Sequence, residues 1–219
     1  TSGLAVGLFS TNNGEPSAST FQAIFDEIEI YEIFDDTATS IYRVNAGGPT
    51  VAAIDGGLDW SADTPTAHTP NLRAAGSNNA SEFPAVDPGA TVPGAVPGAL
   101  FDTERWDQPG GTEMSYSFDV SQSGFYEVRL FMGNGFAGTS APGARVFDVS
   151  IEGAVPTNLD DVDLSTRFGH LVGGMITNVV EVTDGSLDIE FLHVVENPLV
   201  NAIEIVQLGA VSDLTVSII

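Results

Sequence analysis

The sequence predicts an all-β fold, an antiparallel β-sandwich of jelly-roll-like form with long loops at one end and an N-terminal β-hairpin segment. Three observations predict it. Sustained helical periodicity is missing, short runs of alternating apolar and polar residues recur, and clusters of Gly, Pro, Asn and Ser separate those runs. A period of two is what a pleated strand with one wet face requires, and it favours antiparallel sheets.

Taken in order, Leu4 to Phe9 and Phe21 to Ile33 read as two strands joined by the turn Asn12-Asn13-Gly14-Glu15-Pro16. Phe21, Phe25, Ile28 and Ile30 offer an apolar surface that so short a segment cannot bury, and an isolated hairpin is marginal in water. Residues 1–34 are therefore expected to complete a sheet with polypeptide outside the following domain, contributed by a neighbouring domain or subunit. The strand-like run Leu214 to Ile219 is a candidate for the complementary piece. The expected segmentation is N-terminal strands over 1–36, a linker over 37–40, the main domain over 41–209 and a C-terminal linker or strand over 210–219.

Within the main domain, Tyr126, Val128, Leu130 and Met132 share one face of a strand, with Glu127 and Arg129 on the other. Phe147, Val149 and Ile151 oppose Asp148 and Ser150 in the same way, and Leu187, Ile189 and Phe191 oppose Asp188 and Glu190. Ile203 and Ile205 alternate with Glu204 in a last run from Asn201 to Gln207. The stretch from Asp63 to Ala99, rich in Ala, Pro, Gly, Asn and Thr, reads as a long loop laid over the sandwich, a place where binding residues gather.

Composition excludes several functions. Thirty acidic residues stand against six basic ones, all Arg, for a net charge of -24. Such a surface repels phosphate backbones and anionic lipid headgroups, so neither nucleic acid nor membrane insertion is expected. Cysteine does not occur, which removes disulfides, thiolate metal sites and Cys nucleophiles together. The chain opens at Thr1 without a signal-like segment, and a secretion signal is expected upstream of it, as for an extracellular or cell-surface protein.

Few motifs carry chemistry. Gly133-Asn134-Gly135-Phe136-Ala137-Gly138 fits the dinucleotide fingerprint in form, but the following Thr139-Ser140-Ala141-Pro142-Gly143 cannot open the helix that fingerprint needs. His68, His170 and His193 have no metal-type spacing. Asp160, Asp161 and Asp163 offer oxygen ligands for Ca²⁺, with a solvated turn as the other reading, and no other cofactor is suggested. No GxSxG or phosphate-binding loop is present, and carboxylates are too abundant for any pair to indicate hydrolysis.

Four motifs occur in order between residues 41 and 208: Tyr42-Arg43-Val44-Asn45-Ala46-Gly47-Gly48 with Asp55-Gly56-Gly57-Leu58-Asp59-Trp60; Leu100-Phe101-Asp102-Thr103-Glu104-Arg105-Trp106; Arg145 to Gly153; and Glu196-Asn197-Pro198-Leu199-Val200-Asn201-Ala202-Ile203-Glu204-Ile205. In this succession the segment resembles the malectin family. The preceding residues resemble, over a short stretch, the end of a laminin-G or concanavalin-like lectin domain. The malectin resemblance implies a non-catalytic sandwich that binds gluco-oligosaccharides or glucan polysaccharide through loops at one end. Carried over residue by residue, it implies sugar contacts at Trp60, Phe83, Phe136 and Glu196. The family's first aromatic of a pair is Gly135 here, and Asn134 offers a compensating polar contact. The other expectation is a structural or adhesive module of an extracellular filament, surface layer or adhesin, assembled by strand addition.

Overall fold

The computed structural model describes residues 28–34, 38–74, 78–82, 86–209 and 211–218. Strands dominate: β1 (Ile28–Phe34), β2 (Thr39–Ala46), β3 (Ser61–Asp63), β4 (Asn78–Glu82), β5 (Asp87–Pro88), β6 (Thr103–Asp107) and β7 (Met114–Asp119) are followed by β8 (Gly124–Gly133) and β9 (Val146–Ile151). A four-residue helix, α1 (Leu164–Arg167), precedes β10 (Val172–Val182), β11 (Ser186–Val195), β12 (Leu199–Val200), β13 (Ala202–Gln207) and β14 (Val211–Ile218).

The sandwich is built from a six-stranded sheet, ordered β3-β2-β13-β8-β10-β5, and a three-stranded sheet, ordered β7-β11-β9. The alternating residues read from the sequence form its interior. Val128 lies opposite Ile205, and Leu130 opposite both Ile203 and Ile176, in the larger sheet. Tyr116 faces Ile189, and Phe191 faces Val149, in the smaller one. These side chains, with Phe118, Phe147 and Ile151, are buried in one cluster, each contributing about 1.5–3 kcal/mol of transfer free energy. The central pairings are antiparallel, whereas the short edge strands β3 and β5 run parallel to β2 and β10.

The outer face of the large sheet departs from the expected wet surface. Phe131, Met175 and Ala202 point outward from adjacent strands and pack with Trp60, Val86, Leu100 and Phe101 in a second cluster. A β-carbon at Gly173 would overlap the Phe101 ring, so glycine is what lets this covering segment lie on the sheet. Beside it, Glu204 is buried beneath two arginines, accepting from Arg43 Nε at 2.8 Å and from Arg129 Nη1 at 3.2 Å. The stretch from 63 to 99 is thus more than a loop: β4 pairs with β6, β5 pairs with β10, and the intervening turns close the second cluster.

Two motif asparagines fasten the sheets. Asn201 donates to Thr103 O at 2.7 Å and accepts from Gly133 N at 2.7 Å, while Asn45 donates to Pro49 O at 2.7 Å.

Among the described residues, β1 and β14 pair with one another in a two-stranded sheet. The first strand and turn of the expected N-terminal hairpin lie outside the described residues. Among the described residues, no helix is long and apolar enough to cross a membrane.

Candidate functional site

At one end of the large sheet, β8 and β10 stop side by side at the Gly133–Gly173 pair, and the chain continues into loops at 134–145, 168–171 and 196–198. Asn134, fully buried, organises the first of these. Its amide donates to Thr139 O at 2.6 Å and to Ser165 Oγ at 2.9 Å, and its oxygen accepts from Thr139 Oγ1 at 2.9 Å. Its carbonyl accepts from Leu171 N at 3.0 Å, tying two loops together. Thr139 N in turn donates to Phe136 O at 3.1 Å. With its backbone held in this way, Phe136 presents its ring outward, 46% exposed, over the backbone of Gly138.

Arg145 joins this loop to the 196–198 loop. Its Nη1 lies 3.4 Å from Asn134 Oδ1, and its Nη2 lies 3.8 Å from Glu196 Oε2. Glu196 holds left-handed backbone, φ 63°, and its carboxylate accepts from Asn197 N at 2.7 Å. Leu171, on the neighbouring loop, is also left-handed at φ 62° and partly exposed. Non-glycine residues in this conformation cost on the order of 1–3 kcal/mol each and cluster at ligand-binding sites.

Beneath the rim, hydrogen-bonding capacity is left over. Glu104 Oε2, Arg145 Nε and Asn197 Oδ1 are buried atoms with no partner in the protein. Glu104 and Arg145 feel one another's charge: burial pushes the Glu104 carboxyl up to about 7 against the pull of Arg145, and burial lowers the Arg145 guanidinium. Unpaired buried groups of this kind call for an ordered water or a ligand. An exposed aromatic face next to carboxylate, guanidinium and amide groups is suited to a polyhydroxylated ring, whose C–H face packs on the aromatic and whose hydroxyls exchange hydrogen bonds.

The structure brings some expected site residues together and separates others. Phe136 and Glu196 stand on two loops that Arg145 joins, through Asn134 on the first and Glu196 on the second. Asn134 is a positioning residue, and its hydrogen bonds are spent on loop partners, which corrects its reading as a direct sugar contact. Trp60 is a further correction: expected as a partly exposed ring, it is 1% exposed, edge-on to Phe131 at 5.4 Å with the Arg43 guanidinium 5.2 Å from its ring centre. Its apolar area is worth more under the covering loop than in water. Phe83 lies outside the described residues.

The aspartates considered for Ca²⁺ do not gather into a ligand set among the described residues. Asp163 caps α1, accepting from Thr166 N at 3.1 Å, Thr166 Oγ1 at 2.6 Å and Gly143 N at 2.6 Å, so its oxygens are already occupied. Asp160 and Asp161 are exposed turn residues. Glu104, Arg145 and Asn197 were not singled out by the sequence reading, although all three stand inside the quoted motifs.

No curated protein sequence matches the chain. Among solved structures, the fold is similar to the plant receptor-like kinase FER, with TM-score 0.69 and 18% identity over 80% of this chain and 52% of that one. It is similar to the ANXUR1 extracellular domain from Arabidopsis thaliana, with TM-score 0.67 and 17% identity over 80% and 49%. A third similar structure is the plant peptide RALF23 in complex with FER and LLG2, with TM-score 0.66 and 19% identity over 82% and 55%. The chain therefore spans about half the length of these structures. A profile of the malectin domain matches residues 40–204, and across that span the chain belongs to the malectin domain family.

Proposed function

We propose that this chain is a non-catalytic carbohydrate-binding module of an extracellular multidomain protein, taking a gluco-oligosaccharide or the end of a glucan chain on the rim formed by Phe136, Arg145 and Glu196. The observation that carries this reading is the exposed Phe136 ring on a loop that Arg145 ties to Glu196, together with buried polar atoms of Glu104, Arg145 and Asn197 that the protein leaves unpaired. In the proposed complex the sugar stacks on Phe136, while Glu196 accepts from its hydroxyls. Arg145 holds the two loops in register. The absence of a second ring at Gly135 leaves room for a ligand approaching over the 133–138 loop.

Calorimetric titration with maltose- and nigerose-type oligosaccharides tests the proposal. Phe136→Ala is expected to weaken binding by about 1–3 kcal/mol, the value of one large apolar contact. Equal affinity in wild type and variant, or binding in neither, removes the site.

A second reading, a structural module assembled by strand addition, is favoured by one observation. Among the described residues, β1 and β14 pair in a sheet of two strands. A two-stranded sheet is marginal alone and gains from pairing with a further strand. Concentration-dependent association of the full chain, lost on deletion of residues 1–34 with the sandwich still folded, supports assembly over glycan capture as the principal role.

A further inference from the structure

A second cluster of polar side chains sits where β6 ends at Asp107 and β7 begins at Met114, with Asp107 N donating to Pro198 O of the 196–198 loop at 3.1 Å. β11 outruns β7: their last pair is Phe191 with Met114, so His193 reaches past it towards the 108–113 turn. His193 Nδ1 lies 2.6 Å from Glu113 Oε2. Asp107 is 1% exposed; its Oδ2 accepts from Met114 N at 2.7 Å, and its Oδ1 has no partner. His193 Nε2 is also buried and without a partner. A cavity of about 190 Å³ opens between Asp107, the 109–113 turn and His193.

One ligand atom from each of Asp107, Glu113 and His193 lies within 4.8 Å of the other two. Leaving a buried carboxylate oxygen and a buried imidazole nitrogen unsatisfied costs on the order of 1–3 kcal/mol each. A cation held by one imidazole nitrogen of His193 and by both carboxylates satisfies the buried Asp107 oxygen and neutralises two acidic groups held close together. The donors are one imidazole and two carboxylates. Calcium and magnesium take all-oxygen cages, while imidazole with carboxylate suits the later first-row metals. Three protein ligands next to a cavity leave room for a water in the fourth position.

We propose that Asp107, Glu113 and His193 bind a divalent first-row transition cation, with Zn²⁺ as the reference ion. The ion ties the turn between β6 and β7 to β11, so that residues distant in sequence share one ligand. Its role is to stiffen this end of the sandwich.

The full chain, stripped with chelator, is titrated calorimetrically with Zn²⁺ at neutral pH in millimolar Ca²⁺, which occupies the diffuse acidic surface. One equivalent should bind, thermal stability should rise, and Co²⁺ should give a visible ligand-field spectrum. His193→Gln and Glu113→Gln, both at partly exposed positions, should each weaken Zn²⁺ binding by about tenfold or more while keeping the wild-type circular dichroism. Absence of a stoichiometric Zn²⁺ site in the wild-type chain overturns the proposal, as does unchanged affinity in either folded variant. Retention of the site by Ca²⁺ against excess Zn²⁺ overturns the assignment to a transition metal. Should one variant fail to fold, the other variant and the wild-type Co²⁺ spectrum still decide.

Discussion

The Arg105 guanidinium and the Asp63 carboxylate meet inside the protein, Nε to Oδ2 at 2.5 Å, with neither side chain exposed. Tyr116 donates to the same carboxylate oxygen at 2.9 Å, and Thr69 N donates to Oδ1 at 3.0 Å. Arg105 stands on β6, Asp63 at the end of β3 and Tyr116 on β7, so one buried carboxylate fastens three strands. Removing one partner leaves a buried charge uncompensated. Asp63→Ala is expected to cost about 3–5 kcal/mol in urea unfolding, with a loss of the same order for Arg105→Ala. The double variant should lose less than the sum of the two, and additivity would show that the pair is not coupled.

Glu104 gives the protein a pH dependence of known sign. Burial raises its folded pKa to about 7, above the ordinary carboxylate value, so the native state holds a proton that the unfolded chain has released. This contribution is fully present below the unfolded pKa and is lost as pH rises to about 7, amounting to about 3 kcal/mol across that window. Glu104→Gln should remove this slope. Wild-type and variant stability curves running parallel between pH 4.5 and 7 would falsify the assignment.

Gly138 sets the pose of Phe136. A β-carbon there would overlap the Phe136 ring, which is free to swing because it is half exposed. Gly138→Ala is expected to change thermal stability little while displacing the ring. Oligosaccharide affinity should then approach that of Phe136→Ala. Unchanged affinity in calorimetry would show that the ring's position is immaterial to binding.

Trp60 separates packing from recognition. Trp60→Ala opens a cavity beneath Phe131 and Arg43 and should cost about 3–5 kcal/mol of stability. Trp60→Phe, which keeps an aromatic edge against Phe131, should retain oligosaccharide affinity within about twofold. A large affinity loss in a stably folded Trp60→Phe protein would return this residue to the binding surface.

Some of this was legible in the one-dimensional pattern. The alternation at Tyr126, Val128, Leu130 and Met132 places an inward face on β8, and the same holds for Phe147 to Ile151, Leu187 to Phe191 and Ile203 with Ile205. β10 was harder to read, because Gly173-Gly174 and Thr177-Asn178 interrupt the apolar alternation of a strand whose glycines accept the Phe101 and Phe168 rings. The exposed Phe136 stood out for its small neighbours Gly135, Ala137 and Gly138.

By itself, the sequence determined the class of fold and the inward faces of its principal strands, because these follow from local periodicity. Only the tertiary structure decided what covers what. Trp60 has polar neighbours in sequence, yet it lies under Arg43 and against Phe131. Glu204 points away from the interior as alternation requires, yet it is buried because Arg43 and Arg129 arrive from the adjacent strands β2 and β8. Glu104 and Arg145, and likewise Asp107 with His193, acquire their chemistry from partners brought close by sheet pairing and loop packing. Burial and electrostatic coupling depend on distances through space, and those distances do not exist until the strands have paired.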